Sequence, residues 1–213
     1  MLNNYRLQFI THSNNDYSYI DSARIALEGG CRWIQLRMKG VEEASMEHTA
    51  LAVRQMCREY GATFIIDDNV WLAKRISADG VHLGKSDMPI AEARQILGEG
   101  YIIGGTVNSF EDIEQTLRHA TPDYFGCGPF RFTTTKRNLS PILGYEGYRD
   151  VIQKIRDNDI GIPLVAIGGI GKGDVVGLLE CGVDGIALSS SILNAPDPRA
   201  EMTEILDIIT TSL

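Results

Sequence analysis

Short runs of β-branched and aromatic residues recur along the whole chain, and each is followed by apolar positions at helical spacing. The eight runs are Leu7–Ile10, Trp33–Arg37, Thr63–Ile66, Gly80–Leu83, Tyr101–Gly104, Asp123–Gly126, Leu164–Ile167 and Gly185–Leu188. Between them, Ile20, Ala23 and Leu27 form one stripe that ends at Gly29-Gly30. Met46, Ala50, Val53, Cys57 and Tyr60 form another. Spacings of three and four put such residues on one face of a helix. Ser45 and Ser109 are expected N-caps, the latter with Asp112 three residues on. Met202, Ile205, Leu206 and Ile209 mark a last helix.

Eight strand–helix units in strict alternation imply a parallel sheet, and eight is the number that closes a barrel. The expectation is therefore an α/β protein, a (β/α)8 TIM barrel in a single domain spanning residues 1–213. A doubly wound open sheet is the competing arrangement. The sixth unit, from Tyr124 to Val165, departs from the even spacing and carries a Gly/Pro/Thr-rich segment from Gly126 to Gly144. Long loops in compact barrels are usually functional or disordered.

Composition narrows the class of protein. The chain has 213 residues, of which 44% are apolar and 23% charged, as in ordinary globular domains. No run approaches the ~18 consecutive apolar residues of a membrane span, and the first residues lack a secretory pattern. A formal net charge of −8 argues against nucleic-acid and membrane-surface partners, which call for basic patches. Cys31, Cys57, Cys127 and Cys181 are widely spaced without a C-x-x-C pair, so a reduced, cytoplasmic protein is expected. A homo-oligomer is left open.

In such barrels active residues sit at the C-terminal ends of the strands. On the second strand, alternation sends Ile34, Leu36 and Met38 one way and Gln35, Arg37 and Lys39 the other. The apolar set suits the helix layer, and the polar set would line the barrel mouth. Two cations there need an anionic partner, either a ligand or a carboxylate from a neighbouring strand. Asp67 and Asp68 close the third strand and Asp87 follows the fourth, so Asp68 and Asp87 are placed to share one cation. Mg²⁺ suits them, because it takes one or two carboxylates, keeps waters and accepts phosphate oxygens. Helix capping by these acids is the alternative.

The sixth loop, Gly128 to Arg137, combines hydroxyls with cations, as a phosphate loop or a plain solvated turn would. Gly168-Gly169 and Ser189-Ser190-Ser191 end the seventh and eighth strands, the recurrent phosphate site of these barrels. His82 faces away from Val81 and Leu83, as either a core histidine or a contact to a heterocycle. Cys57 and Cys127 read as structural. No Ser/His/Asp or Cys/His arrangement supplies a nucleophile.

The series Gln35-Leu36-Arg37-Met38-Lys39, Gly80-Val81-His82-Leu83-Gly84, Gly126-Cys127-Gly128-Pro129, Thr133-Thr134-Thr135-Lys136, Val165 to Ile170 and Gly185 to Ser190 resembles the thiamine phosphate synthase family. The likeness runs in order through nearly the whole chain. It implies an enzyme, a transferase that joins a hydroxymethylpyrimidine diphosphate to a thiazole phosphate, giving thiamine phosphate and pyrophosphate. By resemblance, Gln35, Leu36, Arg37, Met38 and Lys39 bind the pyrimidine diphosphate, and Asp68 and Asp87 hold Mg²⁺. Thr106 takes the place of a diphosphate-binding hydroxyl, and Lys136 contacts the diphosphate. Thr133, Thr134 and Thr135 face the thiazole phosphate, whose phosphate rests on Gly169, Ser189 and Ser190. Arg37, Lys39 and Lys136 are the expected catalytic groups, with Asp67 and His82 completing the substrate-binding set.

Two positions depart from the family pattern. Asp67 stands where Asn is usual and Lys85 where Gln is usual, and the two are expected to compensate each other electrostatically. Two other functions fit the same barrel. A thiazole tautomerase would not need the metal–diphosphate residues this chain keeps. A non-catalytic sensor of thiamine intermediates would call for an effector region that the sequence does not supply.

Overall fold

The computed structural model describes residues 6–132 and 141–212. Its strands are β1 (Leu7–Ile10), β2 (Trp33–Leu36), β3 (Thr63–Asp67), β4 (Gly80–Leu83), β5 (Ile102–Val107), β6 (Tyr124–Cys127), β7 (Leu164–Ile167) and β8 (Gly185–Leu188). Each pairs in parallel with the next, and β8 returns to β1 with Leu7 opposite Ile186 and Phe9 opposite Leu188. That last ladder closes the barrel and rules out the open sheet. The helices between strands are α1 (Tyr19–Glu28), α2 (Glu43–Glu59), α3 (Val70–Arg75), α4 (Ile90–Leu97), α5 (Phe110–Leu117), α6 (Gly144–Asp157) and α7 (Val175–Cys181). After β8 come the short α8 (Ser190–Leu193) and the closing α9 (Pro198–Thr211). Among the described residues no helix is long and apolar enough to cross a membrane.

Helix starts follow local hydrogen bonding. Ser109 caps α5 as expected, its hydroxyl accepting from the Asp112 N–H at 3.3 Å. Ser45 does not cap α2. That helix begins at Glu43 after Glu42, leaving Ser45 inside the first turn, where an acid at Glu43 suits the positive end of the helix dipole. At α1 the sequence pattern passed over a full capping box: Ser18 accepts from the Asp21 N–H, and Asp21 accepts from the Ser18 N–H, each at 3.1 Å.

Strand parity divides the core in two. Side chains facing the helices form the large outer cluster, which includes Ile34, Leu36, Met38, Val81 and Leu83. Those facing inward make a small apolar plug of Ile10, Trp33, Ile65, Tyr124, Val165 and Ala187. Trp33 and Tyr124 meet edge to face with ring centroids 4.9 Å apart. The four cysteines are free and buried, and burial pushes the thiols of Cys31 up to about 11 and of Cys57 and Cys127 up to about 12. Such thiols stay protonated at neutral pH, as their structural reading requires.

At the N-terminal face a repeated device ties neighbouring strands. Asp79, Asp123 and Asp184 each immediately precede a strand, and each carboxylate accepts from a backbone N–H near the start of the preceding strand. The bonds are Phe64 N to Asp79 at 2.7 Å, Ile103 N to Asp123 at 2.7 Å and Leu164 N to Asp184 at 2.8 Å. They satisfy donors at the rim of the sheet.

One strand, β5, runs well past its sequence pattern. β5 continues through Gly104-Gly105 to Val107 instead of stopping at Gly104. The glycines are there for space. A Cβ on Gly104 would lie 2.2 Å from the Tyr124 ring and 2.5 Å from His82 Nδ1. Gly104→Ala is therefore expected to lower the unfolding free energy by about 1–3 kcal/mol through overpacking. Gly161→Ala, where no atom lies within 4 Å, serves as the control. Denaturant melts of the two variants check this.

Candidate functional site

The inward parity that builds the apolar plug continues toward the C-terminal ends of the strands with polar residues. On β2 it presents Trp33, then Gln35, then Arg37 just past the strand end, while Leu36 and Met38 are buried against the helix layer. Any ligand contact from Leu36 or Met38 is therefore through the backbone. The Arg37 N–H is held by the buried Thr11 hydroxyl at 3.1 Å, which ties this strand end to the one before it.

Asp67, the last residue of β3, gathers the polar set. It accepts from Gln35 Nε2 at 2.7 Å and faces Arg37 Nε at 3.3 Å and Lys39 Nζ at 3.7 Å. Its side chain is only 8% exposed, so its charge needs these partners. Lys39 also pairs with Asp68. The expected compensation between Asp67 and Lys85 does not occur. Lys85 lies on the loop after β4 and reaches outward to Asp112 in the first turn of α5, with Nζ–O distances of 2.8 and 2.9 Å. Asp67 instead points inward from a strand end, where β2 delivers two cations.

The Gln35 amide is nearly fully buried, at 2% exposure. Because Asp67 can only accept, it fixes Nε2 toward itself and leaves Oε1 turned elsewhere, with no hydrogen-bond partner among the described residues. A buried acceptor left in that state costs about 1–3 kcal/mol. Such an acceptor has room for one more donor.

Asp68 adopts a left-handed backbone, φ 64°, a conformation that Asp tolerates better than most residues. Its N–H donates to the His82 carbonyl at 2.8 Å, tying the end of β3 to β4. Asp87, on the loop after β4, accepts from the Gly84 N–H at 2.7 Å through Oδ2, so it does cap its turn. That bond engages one of its two carboxylate oxygens. Among the described residues no group of three or more His, Cys, Asp or Glu side chains converges as a metal site. Asp68, just past β3, and Asp87, on the loop after β4, have the oxygen chemistry Mg²⁺ takes, since it needs only one or two carboxylates and completes its shell with water and phosphate oxygens.

His82 lies inside the barrel, with Nδ1 3.0 Å from the Tyr124 hydroxyl and Nε2 2.9 Å from the Thr106 hydroxyl. Both ring nitrogens are thus engaged within the protein. Thr106 occupies the inward position near the end of β5 and is half-buried.

After β7 the chain turns through Gly168 and Gly169 at φ 95° and 72°, which only glycine adopts freely. The carbonyls of this turn are taken by the loop after β6. Phe130 N donates to Ile167 O and Arg131 N to Gly168 O, each at 3.0 Å. The Arg131 guanidinium adds a bond to Gly169 O at 2.9 Å and grips Asp174 with two bonds of 2.8 Å. The Arg131 hydrogen bonds hold the Asp174 carboxyl below the usual range. Sequence reading did not single out this clamp, because its two halves lie 43 positions apart. Ser189 and Ser190 open α8 beside this turn at the end of the next strand. Thr133, Thr134, Thr135 and Lys136 lie outside the described residues.

The described strand ends thus bring together Gln35, Arg37, Lys39, Asp67 and Asp68 in one contact network, and His82 with Thr106 in another. Comparisons with known proteins identify the family. The family profile described as thiamine monophosphate synthase matches residues 7–192. A thiamine-phosphate synthase of Phocaeicola vulgatus is 57% identical over 95% of this chain and 97% of its own length. One of Flavobacterium psychrophilum is 48% identical over 94% and 97%. The solved structure of a thiamine phosphate pyrophosphorylase from Pyrococcus furiosus superposes with a TM-score of 0.85 at 37% identity, covering 98% of this chain and 97% of that one. With the barrel closed, the strand-end residues assembled and the profile matched over most of its length, the chain belongs to the thiamine monophosphate synthase family.

Proposed function

We infer that the protein condenses a hydroxymethylpyrimidine diphosphate with a thiazole phosphate, releasing pyrophosphate and giving thiamine phosphate. The observation that carries this reading is the pairing of a buried, unpartnered Gln35 Oε1 with two cations at the same strand end. An aminopyrimidine supplies the missing donor, and the diphosphate it carries supplies the anion that Arg37 and Lys39 can hold. A tautomerase acting on the thiazole alone has no use for this combination.

The reaction breaks the bond between the pyrimidine methylene and the diphosphate oxygen, and the thiazole nitrogen bonds to that methylene. Negative charge grows on the departing oxygens, and fixed cations stabilise it best where they need no reorganisation. In this reading Arg37, Lys39 and Lys136 supply those cations. Mg²⁺, held by Asp68 and Asp87, would neutralise diphosphate charge as a Lewis acid. Gln35 orients the ring, Thr106 donates to the diphosphate, and His82 lies beneath it. Gly169, Ser189 and Ser190 hold the thiazole phosphate, with Thr133, Thr134 and Thr135 facing the thiazole. Bringing the two rings into contact supplies much of the remaining acceleration. Among the assigned residues no nucleophile is needed.

Purified protein with Mg²⁺ and both phosphorylated precursors is expected to form thiamine phosphate and pyrophosphate in equal amounts and to stop with EDTA. Absence of product would overturn the reading. Asp87→Asn keeps an acceptor for the Gly84 N–H but loses the charge. It should cut turnover by at least about a hundredfold with an unchanged melting temperature. Ser190→Ala should mainly raise the KM for the thiazole phosphate.

Asp67→Asn separates a counter-charge from a metal ligand. Its amide oxygen can still accept from Gln35, while Arg37 and Lys39 lose a competing anion. Calorimetry should show magnesium pyrophosphate binding a few-fold tighter at low salt, by roughly 0.5–1 kcal/mol, with an unaltered Mg²⁺ requirement. A loss of Mg²⁺ affinity in this variant would make Asp67 a ligand instead.

A further inference from the structure

A continuous hydrogen-bonded line crosses the barrel interior from its floor to the strand ends. Gln8 Nε2 donates to the Tyr124 hydroxyl at 3.2 Å. That hydroxyl lies 3.0 Å from His82 Nδ1, and His82 Nε2 lies 2.9 Å from the Thr106 hydroxyl. Gln8, Tyr124 and His82 are 2%, 0% and 7% exposed, so water does not compete along most of the line. Space has been cleared for it on two strands. A Cβ on Gly104 would lie 2.5 Å from His82 Nδ1, and one on Gly126 2.8 Å from His82 Cε1.

The donor at one end biases the direction of the bonds that follow. With the Gln8 amide donating to its oxygen, Tyr124 is free to donate its own proton to His82 Nδ1. Burial holds the Tyr124 hydroxyl far above its ordinary pKa, so that proton stays in place. A neutral imidazole that accepts at Nδ1 carries its proton on Nε2 and donates to Thr106. The Thr106 oxygen is then occupied as an acceptor, and its own hydrogen turns outward.

We propose that Tyr124 and Gln8 are positioning residues. Acting through His82, they fix Thr106 as a hydrogen-bond donor toward the leaving diphosphate. The proposal rests on the synthase reading for the identity of the anion. It requires no change of protonation during the reaction; the line is a static device. A hydroxyl preset as a donor stabilises a growing oxyanion without first having to rotate. In the opposite tautomer Thr106 would donate to His82 and present lone pairs to the diphosphate.

Two measurements test it. Proton–nitrogen correlation spectra of the histidine side chains, with His82 assigned by the loss of its signals in His82→Gln, are expected to show the Nε2–H tautomer. A protonated Nδ1 in the wild-type protein would overturn the proposal, whether or not any variant folds. The second is a double-mutant cycle on the dissociation constant for magnesium pyrophosphate. Tyr124→Phe keeps the ring against Trp33 and is expected to mix the tautomers and weaken binding about tenfold. In a Thr106→Val background the same change should cost less than about twofold, because its effect runs through that hydroxyl. Equal costs in both backgrounds would mean a packing role only and would overturn the proposal. Gln8→Met should show the same dependence on Thr106 with a smaller cost. Neither measurement depends on turnover. A protein that makes no thiamine phosphate yet shows the tautomer and the coupling would refute the synthase reading and leave the relay standing.

Discussion

Closing eight parallel strands leaves a narrow interior, and any polar group placed there must find its partner within that space. This chain meets the constraint by stacking two kinds of content. Trp33, Tyr124, Ile65 and Val165 fill the floor with apolar surface. Above them Gln35, Asp67, His82 and Thr106 are linked by hydrogen bonds between strands. In a dehydrated interior each such bond fixes the orientation of the next group, because an unpaired donor or acceptor costs more than a poor angle. The acid at the end of β3 therefore orients a glutamine on β2. Likewise the amide of Gln8 on β1 governs a hydroxyl on β5 that it never touches. The outer helix layer has no such task and is built from ordinary apolar packing.

The fold was legible because its signal is repetitive. Each strand needs four or so β-branched residues, each helix an apolar stripe, and eight repeats leave few topologies. Parity along the second strand was legible for the same reason: Ile34, Leu36 and Met38 do face the helices, while Gln35 and Arg37 do not. What was hidden depends on partners far apart in the chain. The pairing of Lys85 with Asp112 rather than Asp67 follows from which way a loop leans, and local sequence carries no record of that. Arg131 and Asp174 were invisible as a pair for a like reason. Tyr124 was within reach, since strand parity alone puts it inside the barrel. Gly104-Gly105 misled because glycine pairs usually break strands, whereas here one of them makes room for two aromatic rings.

The charge arrangement explains how an acidic protein can handle anionic substrates. A net charge of −8 repels a diphosphate at a distance, but salt screens that repulsion within about 8 Å at physiological ionic strength. On the proposed function, what the substrate would meet on arrival is therefore the strand-end cluster. There Arg37 and Lys39 are held by Asp67 and Asp68, two cations against two carboxylates. Such balance lets two cations stay ordered side by side without a ligand, where bare cations would repel each other. It would also limit affinity for a diphosphate bound there, which would compete with the carboxylates for the same donors. For an enzyme that must release pyrophosphate after each turnover, that competition is useful. Interactions that strengthen only as the leaving group gains charge raise the rate, whereas uniform tightness would hold the product in place. On the proposed function, Asp67, which pairs with both cations, would shift this balance toward release.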